Sequence, residues 1–147
     1  MYFDSHAHLD YEDIKGADFE ETVKAIEGSD VDYVMDIGVD LATSQRAAEN
    51  AAKYPWCYAA IGYHPHEANE MGDVELEMIR ALAKKPKVMA IGEIGLDFHY
   101  EYSPKDIQRD VFRRQIDLAN QLKMPIVIHS READQEVMDI LKEEGAF

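Results

Sequence analysis

Basic residues are scarce in this sequence: 15 Lys and Arg stand against 30 Asp and Glu, a formal net charge of -15. That balance excludes a broad basic surface of the kind that holds nucleic acid by its backbone. It does not exclude an enzyme that takes one strand end, because bound divalent cations supply local positive charge. Cysteine is almost missing. The single residue Cys57 cannot form an intrachain disulfide, which fits a reducing compartment. It lies in an apolar, strand-like run, where a thiol packs rather than reacts. No apolar run approaches membrane-spanning length, and no basic segment followed by an apolar one opens the chain. No linker or low-complexity tract divides it. The expectation is one soluble, cytoplasmic domain over residues 1–147, with 46% hydrophobic and 31% charged residues, the composition of a packed globule.

What is present is an alternation. Apolar runs at Met1–Phe3, Tyr33–Gly38, Trp56–Gly62, Val88–Gly92 and Pro125–Ile128 read as strands. Between them lie helical patterns. Asp18 caps one that ends at Glu27, with Glu21 at the capping-box position and Gly28 just beyond. Asp40 caps an Ala-rich helix that reaches about Tyr54. Asp73 opens a third. Ser103-Pro104 begins a long fourth helix bearing Ile107, Val111, Ile116, Leu118 and Leu122. Ser130 caps a fifth, with Val137, Ile140 and Leu141 on one face. Pro55, Pro86 and Pro125 each separate a helix from a strand, and three strands end in Ile-Gly: Ile37-Gly38, Ile61-Gly62 and Ile91-Gly92. Continuous apolar strands alternating with amphipathic helices predict a parallel sheet covered by helices.

Polar residues collect just past the carboxyl ends of these strands, where parallel α/β folds bind ligands. His6 and His8 are one residue apart, so in extended chain they share a side, with Asp4 and Asp10 nearby. They read either as half of a divalent-metal site or as two surface histidines. Glu93 directly follows an apolar strand, where a carboxylate needs a partner, which favours a ligand over a turn cap. His129 ends another apolar run and reads as a ligand once His6 and His8 are considered. His64 and His66 flank Pro65 and either join the chemistry or shape a loop. Asp97 and His99 are open between the same two roles. Arg131 is either a phosphate fork at a helix N-terminus or an ordinary first-turn residue. All six histidines fall in these turns and none in a predicted helix. The Lys84-Lys85-Lys87 cluster reads as solvent-facing at the opposite end of the sheet.

Four segments together, in this order, resemble the TatD family of metal-dependent deoxyribonucleases: Asp4-Ser5-His6-Ala7-His8-Leu9-Asp10, Gly62-Tyr63-His64-Pro65-His66, Gly92-Glu93-Ile94-Gly95-Leu96-Asp97-Phe98 and His129-Ser130-Arg131-Glu132-Ala133. The resemblance implies a parallel (β/α)8 TIM-type barrel with a two-metal hydrolytic site. It implies His6, His8, Glu93 and His129 as metal ligands, with Glu93 bridging the ions. It places His64 and Arg131 near the substrate phosphate. The metals would be two divalent ions per complete site, Mg, Mn or Zn. The substrate would be DNA, taken at a strand end, or another phosphodiester, hydrolysed by metal-activated water. The family pattern continues with a further histidine and an aspartate on later strands. This chain holds about five β/α units, so it resembles the N-terminal part of such a barrel. A second ion would have only Glu93 and His129, which predicts weak binding there. Strands one and five would be unpaired edges, which predicts self-association. Two other readings remain: a different amidohydrolase-like enzyme acting on an amide, lactone or ester, disfavoured because Glu93 stands where many relatives carry a modified lysine, and a non-catalytic metal-binding remnant.

Overall fold

A computed structural model describes residues 1–9 and 18–146. Five strands, β1 (Tyr2–Ala7), β2 (Val31–Ile37), β3 (Cys57–Ile61), β4 (Val88–Asp97) and β5 (Ile126–Arg131), lie side by side in chain order. Every neighbouring pair is parallel: Tyr2 faces Val31, Val34 faces Cys57, Ala60 faces Ala90 and Gly95 faces His129. Helices α1 (Phe19–Glu27), α2 (Leu41–Lys53), α3 (Asp73–Leu82), α4 (Lys105–Leu122) and α5 (Asp134–Glu143) alternate with the strands, and a 3₁₀ helix spans Pro65–Glu70. The result is the expected five-unit arc of a (β/α)8 barrel. Among the described residues no helix is long and apolar enough to cross a membrane.

The main core lies between sheet and helices. Ile61, Ile79, Ile91, Ile94, Leu96, Phe112, Ile116 and Leu118 are fully buried there. Small residues make close packing possible: Ala47, Ala48 and Ala51 of α2 join Cys57 and Ala59 of β3 in one buried cluster. Cys57 is inaccessible, as a packing thiol should be. Side chains alternate across each strand. On β2, Asp36 turns toward α2, where Asn50 donates to it, while Ile37 joins Ala60 and Ala90 in a smaller cluster with Met35 and Val127. On the side of Met35 the surface is open: Phe3, Tyr33, Met35, Tyr58 and Met89 line a depression of about 400 Å³.

Several boundaries differ from the sequence reading, and three bear on the site. β1 runs on to Ala7, so His6 lies within it. β4 continues past Gly92 to Asp97, and β5 continues past Ile128 to Arg131. The two extensions support each other, because Ile94, Gly95, Leu96 and Asp97 pair with Ile128, His129, Ser130 and Arg131. Glycine permits the approach. A β-carbon on Gly92 would stand 2.6 Å from that of Val127, and one on Gly95, whose φ is +152°, would stand 1.8 Å from the His129 carbonyl oxygen. Because β5 is longer, α5 starts only at Asp134 with Ala133 as its cap. Ser130 therefore caps nothing, and Arg131 does not open a helix.

Caps show the same mixture. The Asp40 carboxylate accepts from the Thr43 amide, and the Thr43 hydroxyl accepts from the Asp40 amide, closing a box. Asp18 caps α1 as expected, but through the Glu20 amide at 3.2 Å. Ser103 is buried one residue too early to cap α4; its hydroxyl donates to the His66 carbonyl and accepts from the Asn69 amide. Lys84 and Lys85 are exposed, but Lys87 is half-buried. Its Nζ donates to the carbonyls of Ala51 and Tyr54 and so ties off the end of α2.

Candidate metal centre

β1 delivers His6 and His8 to one side of the centre. The segment is fixed through β2: the Leu9 amide donates to Asp36 at 3.1 Å, and His8 Nδ1 lies 2.8 Å from the Ile37 carbonyl. A carbonyl only accepts, so Nδ1 carries a proton and Nε2 faces the centre. Nε2 of His6 and Nε2 of His8 stand 3.3 and 3.5 Å from the same atom, Glu93 Oε2. Asp4 does not join them; it accepts from the His6 amide at 3.1 Å. Asp10 lies outside the described residues.

Glu93, on β4, is buried at 7% exposure. Its second oxygen, Oε1, faces away from the first pair and lies 3.1 Å from His129 Nδ1. The other nitrogen of His129, Nε2, lies 2.9 Å from Asp97 Oδ2, and His66 Nε2 reaches the same oxygen at 2.9 Å. Asp97 is inaccessible to solvent and also accepts from the amides of His99 and Tyr100. A carboxylate behind a histidine fixes its ring and tautomer, so Asp97 aims Nδ1 of His129 at the centre. The sequence left the role of Asp97 open; the structure places it behind the rings of His129 and His66.

The electrostatics follow from this geometry. Burial pushes the Glu93 carboxyl up, but hydrogen bonds from His129 and His8 outweigh it and hold the group far below the usual carboxylate range. Burial likewise raises Asp97, yet the Tyr100 amide, His129 and His66 bring it down to about 2. The hydrogen bond to Glu93 raises His8. Burial lowers His129, but Glu93 and Asp97 outweigh burial and raise it. Glu93 and its imidazole neighbours thus favour one another's charged forms. A divalent ion bound there would take the place of the imidazole protons.

Two groups of three side chains bring potential ligand atoms together: His6, His8 and Glu93, and His64, Glu93 and His129. They are unequal in their lone pairs. In the first, Nε2 of both histidines and one carboxylate oxygen converge, which suits an open tetrahedral site. In the second, Nδ1 of His64 accepts from the His66 amide at 3.1 Å. A neutral His64 then carries its ring proton on Nε2, 3.1 Å from His129 Nδ1, which accepts from it only when that nitrogen is not donating to Glu93. Burial, then the charge of His129, lowers His64 to about 3, so the ring is neutral. His64 thus meets the distance test for a ligand while presenting N–H.

A cleft of about 270 Å³ opens over these groups, lined by His6, His8, His64, His66, Glu93 and His129 together with Val39 and Glu67. Glu67 is a second carboxylate at its wall, raised by burial and by Glu70. His66 sits on the 3₁₀ helix, an element the sequence reading did not predict. Arg131 and His99 stand outside the cleft lining. The Arg131 guanidinium lies 4.7 Å from the Tyr100 ring centre, on the rim. His99 pairs with Glu132 at 2.8 Å.

Comparison with known proteins agrees with the geometry. A family model described as TatD related DNase matches residues 3–147. The "Uncharacterized metal-dependent hydrolase YabD" of Bacillus subtilis is 47% identical over 99% of this chain and 57% of the relative. The "3'-5' ssDNA/RNA exonuclease TatD" of Cronobacter turicensis is 36% identical over 84% of this chain and 47% of the relative. The chain thus spans about half the length of the curated relatives it matches. Among solved structures, the TatD homolog YjjV of Escherichia coli K12 superposes with a TM-score of 0.87 at 28% identity, covering 97% of this chain and 56% of that one.

Proposed function

The chain belongs to the TatD related DNase family, and from that premise we propose that it forms the ligand-bearing part of a metal-dependent phosphodiesterase that hydrolyses DNA from a strand end. The observation that carries this reading is Glu93, whose two oxygens face two different sets of imidazole nitrogens. Divalent ions held there, Mg, Mn or Zn, would supply Lewis-acid polarisation of the phosphate and activation of water. His6, His8 and Glu93 hold the first ion. Glu93 and His129 hold the second, with Asp97 fixing the His129 ring. His64 Nε2–H would donate to a substrate phosphate oxygen. Arg131, always charged, holds a phosphate at the rim; this role rests on its exposed guanidinium and not on a helix end.

Three ligands against two predict one ion that survives dialysis and one that does not. The outer edges of β1 and β5 carry no neighbouring strand among the described residues, and open edges favour self-association. Elemental analysis after dialysis, with light scattering on the same sample, is expected to show one retained ion per chain and a species larger than the monomer. End-labelled single-stranded DNA is expected to be cut little by the dialysed protein and faster as Mn²⁺ is added in excess. Two retained ions in an active monomer contradict the assigned ligand sets. Cleavage that ignores metal contradicts the phosphodiesterase reading itself.

A further inference from the structure

Just beyond β4, two tyrosines stand on the surface beside the cleft, Tyr100 at 40% and Tyr102 at 65% exposure. Single exposed aromatics are ordinary. These two are paired: their rings are parallel within 5°, with centres 5.6 Å apart, an offset stack. The segment that carries them is held. The Tyr100 amide donates to Asp97 at 2.8 Å, and Asn69 Nδ2 donates to the Tyr102 carbonyl at 3.3 Å. The pair is also one ring away from the metal centre. The edge of His66 meets Tyr102 at 4.9 Å and Tyr100 at 5.9 Å, and His66 shares the Asp97 oxygen that orients His129.

A chain with twice as many acidic as basic residues has little positive charge to spread along a polyanion. Nearby cations are already engaged, Lys105 with Glu101 and Arg109 with Glu136. Arg131 has no ion pair among the described residues, and its guanidinium covers the Tyr100 ring. Stacking needs no net charge and accepts any base, because every base has a π-face.

We propose that the stacked pair forms a platform that offers the outer face of Tyr102 to an unpaired base of single-stranded nucleic acid, with Tyr100 as its backing and Arg131 on the adjoining phosphate, so that the strand end is led into the cleft. The proposal rests on the phosphodiesterase reading above and names how that site selects its substrate. A strand whose bases are buried in a duplex offers the platform nothing.

The test is equilibrium binding by fluorescence anisotropy, in EDTA so that no cleavage intervenes. The probes are a short oligothymidylate and an abasic oligomer of equal length. The wild-type protein is expected to prefer the thymidylate. Tyr100→Ala and Tyr102→Ala are each expected to weaken thymidylate binding roughly 5- to 100-fold while leaving the abasic oligomer unaffected, and both Tyr→Phe variants are expected to bind as wild type. A 2-aminopurine placed in the strand is expected to be quenched by wild-type protein, a readout that needs no variant to fold. Equal affinity for the two oligomers, an unquenched 2-aminopurine, or alanine variants that bind thymidylate as wild type does would overturn the platform. Base-dependent binding without any metal-dependent cleavage supports the platform and removes the nuclease reading; cleavage without base-dependent binding does the reverse.

Discussion

The two sides of the metal centre are built on opposite kinds of strand. On β1, which carries His6, five of six residues are exposed. On β4, which carries Glu93 and Asp97, all but Met89 are buried. The β4–β5 side is the more tightly bonded: Glu93, His129, Asp97 and His66 hold one another by bonds of 2.9–3.1 Å. The β1 side approaches Glu93 less closely, at 3.3 and 3.5 Å, and beyond its pairing with β2 its end is tied by the Leu9 and His8 bonds to Asp36 and Ile37. Yet this looser side holds the better ligand set. Rigidity and ligand number are separate properties here, and the centre divides them between its halves.

The largest break comes at the atom pair both sides share. Glu93→Gln removes the charge that faces all three histidines and is expected to abolish tight binding of Mn²⁺, by more than the roughly 10- to 100-fold typical of an outer partner. Titration calorimetry measures it; retained affinity would show that the histidines suffice alone. Next, Asp97→Asn acts only on the β4–β5 side. It is expected to weaken the second ion about 10- to 100-fold while sparing the first, which two-site titration separates. An equal loss at both places would erase the division between the halves.

On the β1 side, Asp36→Ala leaves the Leu9 amide and the Asn50 side chain without their carboxylate acceptor. The expected cost is about 1–3 kcal/mol in urea unfolding, with faster hydrogen exchange at Leu9 and unchanged exchange along β4. The smallest effect is one of pH. His8 and His129 are raised above 6.5 in the folded, metal-free protein, so their contribution is complete below pH 6.5 and is lost as pH rises through the folded values. Glu93 is depressed below 4.5, so its contribution is complete above pH 4.5 and is lost only as pH falls toward its folded value. The metal-free protein is expected to be most stable between these limits, with Tm drifting down as pH rises above 6.5. Added Mn²⁺ is expected to reverse that drift, because binding sheds the same protons. A metal-free Tm that climbs through neutral pH would contradict the proton-held state of the centre.

Much of this was legible in the residues, because strand-helix alternation and Ile-Gly endings depend on local chemistry. The five parallel strands follow from it, the caps at Asp18 and Asp40 from their position before helical patterns, while the grouping of His6, His8, Glu93 and His129 rested on the family resemblance. What escaped depended on pairing between distant segments. Gly95 and Asp97 have turn composition, and only β5 makes them strand. The same extension takes Arg131 off a helix end and puts it on the Tyr100 ring. The proton on His64 is set by the His66 amide, a bond whose geometry the His-Pro-His spacing permits but does not dictate. Exposure of β1 was implicit in its position at the edge of the arc, yet an apolar Met1–Phe3 gave no hint of it.

Gly95 sets a limit on how such a protein can change over generations. The obstacle to any side chain there is the His129 carbonyl, a backbone atom that no rotamer can move aside. A lineage can exchange the rim residues Tyr100, Tyr102 and Arg131 one at a time and try new strands against an old centre. It cannot drift at Gly95 without parting β4 from β5, and with them the Glu93 carboxylate from His129. For directed evolution the same asymmetry is a library design: randomise the rim and hold the glycine.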